Sequence, residues 1–574
     1  MKKILLCVLL LASVFNAHAI KALRIPSTYT QSDGTKITVY LNGDENFAWY
    51  TDDKGNILER KGNDFTPIKI SKSLFFSNAK KNLPVRREPV ANSSTLFPHV
   101  GSPKALVILV NFTDTTFSLP NPKKSFDYFL NGKDDASFNY ANGEKLNYGN
   151  VRAYFDEMSG GKFTPQFDIV GPVSVDKPLS YYGRNTNNVP GRDQNYTDLI
   201  TDAMSLVGDS VNFADYDSNN DGYIDLVYVI YAGYGENLSG NDADCLWPKS
   251  FNMSSSRTYG GKRLYRCGIS NELNGMPGVY TRAPYKRISG TGLFIHEFSH
   301  CLGLPDFYVT ADMPADTQNA NNQEMETWSI MDAGCYNPGG WGTRPAAYTA
   351  WEREAFGWSS ITNLTERNKG LVTLKPLSDG GTAYRVTNDN NINEYYVLEN
   401  IQQTGWNGQA YGHGMLAIHV NYDKSAFLLS QNRVNGTFGQ PRMTVVAADG
   451  VLLNSSKASD TKAYYASLSG DPFPGTSNNT FLTDTSSVKP IVYKQSVNYV
   501  GLNKPIFNIS ENSDGVITFY YLQDKETTAI KETAISESNE PSGIYNLSGL
   551  YVGKSTEGLP AGIYIRNGKK IIIR

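Results

Sequence analysis

Residues 292–308 read Gly-Leu-Phe-Ile-His-Glu-Phe-Ser-His-Cys-Leu-Gly-Leu-Pro-Asp-Phe-Tyr. His296 and His300 are four apart, so on a helix they share one face about a turn apart, and both imidazoles can reach one small cation. Glu297 follows His296 and can reach water on that cation without ligating it. Gly303 permits the left-handed turn that ends a helix, and Pro305 forbids its continuation. The chain then folds back and offers Asp306. Two imidazoles, one carboxylate and an open fourth position form the ligand pattern of catalytic rather than structural zinc. The chain holds only 6 His, so His-Glu-x-x-His is a rare accident in it; the bland alternative is two core histidines beside a surface Glu. Zinc acidifies a bound water to a pKa of ~7 and polarises a carbonyl, while a general base, Glu297, carries the proton to the leaving nitrogen. The pattern predicts peptide-bond hydrolysis without a covalent intermediate. No Gly-x-Ser-x-Gly elbow or phosphate loop competes.

Downstream, residues 327–334 read Thr-Trp-Ser-Ile-Met-Asp-Ala-Gly. In extended metzincin-type sites a tight turn carrying Met lies beneath the metal, and Met331 is placed to do this; plain core packing is the other reading. Tyr336, five residues on, is a candidate oxyanion donor, as is a backbone N–H. Upstream, 105–112 and 225–231 are buried-strand patterns, and 151–159 and 196–207 have helical spacing. Strands alternating with helices predict an α/β or α+β catalytic domain over 100–365. From 366 to 522, strand-like runs recur between Gly, Asn and Ser turns, predicting an all-β, sandwich-like module. Residues 523–542 are polar and read as a linker, and 543–574 form a small β tail. The stretch 26–70 shows short strand-like runs and 80–89 a basic, Pro-containing linker. Together 20–95 read as a pro-segment, with a stable accessory domain as the alternative. The fold class expected is multidomain α+β.

Residues 215–225, Asp-Tyr-Asp-Ser-Asn-Asn-Asp-Gly-Tyr-Ile-Asp, resemble the oxygen spacing of an EF-hand loop. Asp217, Asn219, Asp221, Tyr223 and Asp225 are the candidate calcium ligands, with Gly222 at the sharp turn. Position 12 is Tyr228 rather than Glu, so the loop is not a full EF-hand, and a solvated Asx turn is the other reading.

The N-terminus addresses the chain outward. Lys2-Lys3, an apolar run over 4–15 and Ala17-His18-Ala19 form a secretory signal peptide with cleavage after Ala19. Twelve apolar residues span only ~18 Å as a helix, too short for a membrane core of ~30 Å. The protein is therefore expected outside the cell or on its surface, with no transmembrane segment. Export places Cys245, Cys267, Cys301 and Cys335 in an oxidising compartment and predicts two disulfides, preferentially Cys245–Cys267 and Cys301–Cys335; four buried free thiols are the alternative. A cysteine switch is excluded as a source of latency, because Cys7 leaves with the signal. Over 574 residues, 53 Lys and Arg balance 56 Asp and Glu for a net charge of −3. That excludes a dominant basic field and makes nucleic acid an unexpected partner.

The segment 296–308, the Trp-Ser-Ile-Met turn and Ala355-Phe356-Gly357-Trp358 resemble the immune inhibitor A family of secreted bacterial zinc metallopeptidases. Gln31-Ser32-Asp33-Gly34 through Trp49-Tyr50 is similar to that family's pro-region. Tyr396-Val397-Leu398-Glu399-Asn400 through His419-Val420 is similar to its post-catalytic β-module. The resemblance implies a zincin or metzincin-like fold, His296, His300 and Asp306 as zinc ligands, Glu297 as base, protein or peptide substrates, and the chain's own pro-segment as intramolecular inhibitor. Asp is a less usual third ligand than His. The tail resembles carboxy-terminal sorting modules of exported proteins, or is a stabilising hairpin. Two competing functions remain at this level: a secreted adhesin using the zinc domain as scaffold, and a zinc amidase acting on cell-wall glycans.

Overall fold

The computed structural model describes residues 17–18, 20–23, 25–43, 48–62, 64–71, 75, 96–132, 140–141, 144–238, 244–253, 257–275, 288–310, 324–437, 440–453, 461–494, 498–524, 543–566 and 569–574. These fall into two compact units, Met1–Gln523 and Asp524–Arg574. Most of the expected signal peptide, the basic linker at 80–89 and nearly all of the linker at 523–542 lie outside the described residues.

The architecture is mixed α/β. A six-stranded sheet organises the first unit. Its strands are β1 (Ala17–His18), β2 (Lys104–Asn111), β3 (Gln166–Ser174), β4 (Val227–Tyr234), β5 (Lys249–Asn252) and β6 (Arg266–Leu273), in the order β1-β5-β6-β4-β2-β3. β3, β2, β4 and β6 run parallel, whereas β5 is antiparallel to β6 and β1 antiparallel to β5. Parallel strands are covered on both faces, which is why 105–110 reads as an unbroken apolar run. The two-residue period still sorts its side chains. Ala105, Val107 and Leu109 join the cluster that holds Phe294 and Phe298, while Leu106, Ile108 and Val110 join the one that holds Leu199 and Ile200.

Two helices sit where the spacing predicts them, α1 (Val151–Ser159) and α2 (Tyr196–Val207), and α1 begins with the Asn150 side chain accepting from the Ala153 N–H. Helix α3 (Thr291–Leu302) carries the His-Glu-x-x-His run and is buried at every position. Phe298 packs edge-on against Phe97, Phe155 and Phe167, and Phe294 packs edge-on against Phe167 and tilted against Tyr228. Its opposite side is held so close to the chain at 335 that a Cβ on Gly292 would stand 1.9 Å from the Cys335 carbonyl oxygen. Gly303 ends α3 at φ 110°, its N–H bonded to the carbonyls of Ser299 and His300.

The stretch before the linker is a five-stranded antiparallel meander over 26–67 with Val39, Leu41, Tyr50, Leu58 and Phe65 in its core. Ala22 and Trp247 belong to the same cluster, so the meander is joined to the end of the central sheet. Beyond 360 the chain builds a five-stranded and a three-stranded sheet. The long strand Asn391–Ile401 divides its faces: Val397 and Ile401 lie in the cluster of α3, and Tyr396 and Leu398 lie in the module's own core. This segment also holds a helix, Thr461–Ser467, so it is strand-rich rather than all-β. Its Tyr464 is buried with the hydroxyl donating to Glu326. The second unit holds a four-stranded antiparallel sheet over 544–573 with Ile544 buried.

The expected disulfides are corrected. Cys245, Cys267, Cys301 and Cys335 are buried free thiols. Cys245 and Cys267 pack as small apolar side chains in the cluster beneath α2. The other two have local partners: the Cys301 sulfur lies 3.3 Å from Ser250 Oγ, and the Cys335 thiol donates to the Asp332 carbonyl at 3.1 Å. No helix among the described residues is long and apolar enough to cross a membrane.

Candidate metal centre

Helix α3 turns His296 and His300 to one side, with ring centroids 4.8 Å apart. Each Nδ1 lies 2.7 Å from a backbone carbonyl, that of Ile330 for His296 and that of Leu304 for His300. A carbonyl oxygen only accepts, so each Nδ1 carries the proton and each Nε2 presents a lone pair. Both Nε2 atoms face Asp306 Oδ1, at 3.3 Å from His296 and 3.2 Å from His300. All three side chains are fully buried.

That spacing fits a metal. Tetrahedral zinc at ~2.0–2.1 Å from N and O donors sets the donors about 3.3 Å apart. His296 Nε2 and Asp306 Oδ1 are also buried without a hydrogen bond, as is Glu297 Oε2 next to them. Buried polar atoms are rarely left so, and a shared cation accounts for both ligand atoms at once. Among the described residues, His296, His300 and Asp306 form the cluster that can hold a metal ion. Burial lowers the His296 imidazole, keeping it neutral as a ligand must be. Burial alone would raise the Asp306 carboxyl, but the two imidazoles, His300 foremost, hold it well below the usual carboxylate range. Burial, reinforced by Asp306, pushes Glu297 well up.

The turn after α3 is fixed from two sides. Met331 is fully buried; its carbonyl accepts from the Phe307 N–H at 2.9 Å, and the carbonyl of its neighbour Ile330 accepts from His296 Nδ1. From far along the chain comes Asn432, a residue the sequence reading missed. Its Nδ2 donates to Asp306 Oδ2 at 2.5 Å and its Oδ1 accepts from the Asp306 N–H at 2.7 Å. Asn432 is itself fully buried and left-handed at φ 46°. Nothing local in the sequence marks it, since it lies 126 residues from its partner.

The cleft above the helix holds part of the same chain. The Ile20 N–H donates to Glu297 Oε1 at 3.1 Å, the Ile20 carbonyl accepts from Trp247 Nε1 at 3.0 Å, and the Lys21 carbonyl accepts from the Tyr336 hydroxyl at 2.8 Å. The Lys21 ammonium lies 2.6 Å from Asp332, 3.5 Å from Glu324 and 3.7 Å from Glu326. Tyr336 is thus brought to the site, where its hydroxyl meets a main-chain carbonyl.

The candidate calcium residues are not gathered into a cage. Asp217 accepts from the N–H groups of Asp221 and Gly222 and from Lys262 Nζ at 2.5 Å. Asp225 accepts from the Ser218 N–H, Asp221 from the Tyr223 N–H and Asn219 from the Asp221 N–H. The oxygens close Asx turns, and Lys262 supplies the positive charge that calcium was expected to bring.

Residues 98–360 match the family described as immune inhibitor A peptidase M6, catalytic domain. The chain is 26% identical over 283 residues to a pre-pro-metalloprotease, PrtV, of Vibrio cholerae, a match covering 44% of this chain and 29% of that protein. It is also 26% identical over 316 residues to immune inhibitor A of Bacillus thuringiensis subsp. alesti, covering 47% of this chain and 42% of that one. The chain thus spans less than half the length of these curated relatives.

Proposed function

We propose that this chain, whose residues 98–360 belong to the immune inhibitor A peptidase family, is a secreted zinc endopeptidase made as a zymogen. The observation that carries the reading is the convergence of His296 Nε2, His300 Nε2 and Asp306 Oδ1 beside the buried Glu297 carboxylate. These three side chains would hold the zinc. When bound, zinc supplies Lewis-acid polarisation of the substrate carbonyl and an acidified water. Glu297 takes the water's proton at Oε2 and returns it to the leaving nitrogen as the C–N bond breaks and the water oxygen joins the acyl carbon. Oε1 is the atom that faces a peptide nitrogen, that of Ile20. Met331 and Gly303 keep the helix end and the Asp306 turn in register.

Latency follows from the same contacts. The start of the segment 20–95 runs through the cleft, closed by main-chain bonds to Glu297, Trp247 and Tyr336, so substrate enters only after it leaves. Tyr336, offered by the sequence as an oxyanion donor, is better read here as a clamp on the amine side of the cut, because the carbonyl it holds belongs to Lys21. Export by the signal at 1–19, the metzincin-like fold of the catalytic domain and sorting by the tail at 543–574 belong to this proposal.

The test is casein or gelatin hydrolysis by protein purified from the culture medium. Glu297→Ala should lower the rate at least ~10²–10⁴-fold while zinc content stays at one per chain. Hydrolysis undiminished in that variant would end the reading.

A further inference from the structure

Resting on the peptidase reading, the structure assigns a substrate class. We infer that the cleft takes peptides with a branched aliphatic residue directly after the cut and a lysine or arginine next, the first entering the pocket of Ile20 and the second meeting Glu324, Glu326 and Asp332.

The polarity comes from Glu297. The base must hand its proton to the leaving nitrogen, and the peptide nitrogen 3.1 Å from its Oε1 is that of Ile20. Ile20 N therefore stands where a leaving nitrogen stands. Residues before it lie on the acyl side, where Ala17–His18 pairs antiparallel with the edge strand β5, Ala17 opposite Phe251 and His18 opposite Ser250. Residues from 20 onward lie on the amine side. Ile20 N is also the nitrogen that the Ala-x-Ala pattern marks for release by signal cleavage. After that cut the chain begins Ile20-Lys21 and sits in the cleft as an amine-side product.

The contacts divide into two kinds. Strand pairing and the bonds to Glu297, Trp247 and Tyr336 hold main chain and accept any sequence. Two side chains are read. Ile20 is fully buried, within the apolar cluster on the α3 face of the sheet. Lys21 is surrounded by three carboxylates from one short stretch, and its ammonium also stands 5.6 Å from the Tyr308 ring centre. Glu324 and Glu326 both have left-handed backbones, at φ 66° and φ 45°, conformations that non-glycine residues seldom adopt and that here place two carboxylates beside one ammonium. An acidic residue in the Lys21 position would add a fourth anion to a buried set, so rejection of acids is expected to be stronger than preference among cations.

Digesting a proteome-derived peptide library with the secreted protein and mapping new N-termini by mass spectrometry tests this. The expected result is enrichment of Ile, Leu or Val at the first position, with Ala there cut roughly 10-fold or more slowly, enrichment of Lys or Arg at the second, and depletion of Asp and Glu. Glu324→Lys should remove the second-position preference while leaving the first. A second measurement uses the full chain without catalysis. Lys21→Glu should speed extraction of zinc by a chelator at least ~10-fold by releasing the segment, and Lys21→Arg should not. A flat or acidic second position, or Lys21→Glu extracting at the wild-type rate, overturns the inference. No cleavage of any library or of casein, or cleavage that persists in Glu297→Ala, instead overturns the peptidase reading beneath it.

Discussion

Asn432→Gly isolates how much of the metal site depends on a residue outside the helix. Asn432 makes two bonds to Asp306, at 2.5 Å to its carboxylate and 2.7 Å from its N–H. Glycine keeps the left-handed backbone at φ 46°, where alanine would be strained. The substitution therefore removes the two side-chain bonds and little else. Losing a group that orients a ligand carboxylate typically costs 10–100-fold in metal affinity, about 1.4–2.7 kcal/mol. The assay is zinc competition against a chromophoric chelator, with circular dichroism to show that the fold is retained. Asn503→Gly is the control: it is also a left-handed asparagine, at φ 57°, whose side chain bonds the Gly501 carbonyl, and it should leave zinc affinity unchanged. A folded Asn432→Gly protein with zinc affinity within about threefold of wild type would refute the orienting role and weaken Asp306 as the third ligand.

Three further outcomes follow from the packing. Gly292→Ala should destabilise by about 1–3 kcal/mol or more, lowering Tm by several degrees, because its Cβ would meet the Cys335 carbonyl at 1.9 Å; an unchanged Tm would mean α3 is not pressed against that turn. Burial holds the Glu352 carboxyl up to about 7, so the folded state keeps a proton that the unfolded chain, near its ordinary value, has lost. Stability from this group is present below about 4.5 and falls by up to about 3 kcal/mol as pH rises through 7. Thermal melts from pH 5 to 8 should show the decline, and Glu352→Gln should flatten it. Alkylation of the secreted protein, unfolded without reductant, should label Cys245, Cys267, Cys301 and Cys335 alike; labelling that needs reductant would restore the disulfides.

What was legible in the sequence is what repeats locally. The four-residue spacing of the imidazoles, the stop at Gly303 and the return to Asp306 all lie within eleven residues, and each is found in place. The apolar run at 105–110 gives strand β2 for the same reason, since burial on both faces leaves no polar alternation to misread. The illegible parts depend on tertiary neighbours. The acidic loop at 215–225 has the spacing of a cation site, but Lys262, some forty residues on, supplies the charge. Four cysteines in an exported chain favour disulfides by composition, yet Cys245 and Cys267 pack within an apolar cluster, and Cys301 and Cys335 meet Ser250 and the Asp332 carbonyl. The helix Thr461–Ser467 interrupts a run of strands, and its buried Tyr464 meets Glu326, a partner 138 residues away.

Asn432 also bears on where the catalytic domain ends. The family match stops at residue 360, which invites reading everything beyond it as accessory. The contacts argue otherwise. Asp306 is fully buried and anionic, and its second carboxylate oxygen is partnered by Asn432. Asn435 donates to the Phe307 carbonyl at 2.6 Å, and the Val445 N–H donates to the Glu324 carbonyl at 2.9 Å. The stretch 432–445 thus fixes both the third candidate ligand and the acidic wall around Lys21. Removing it would leave a buried carboxylate short of a donor, a cost of about 1–3 kcal/mol before any packing is lost. It would also expose the face of Asn391–Ile401 that shares the cluster of α3. Candidate metal site and strand-rich segment are therefore one folding unit, and the boundary near 360 marks the end of the catalytic-domain match rather than where the structure of the site ends.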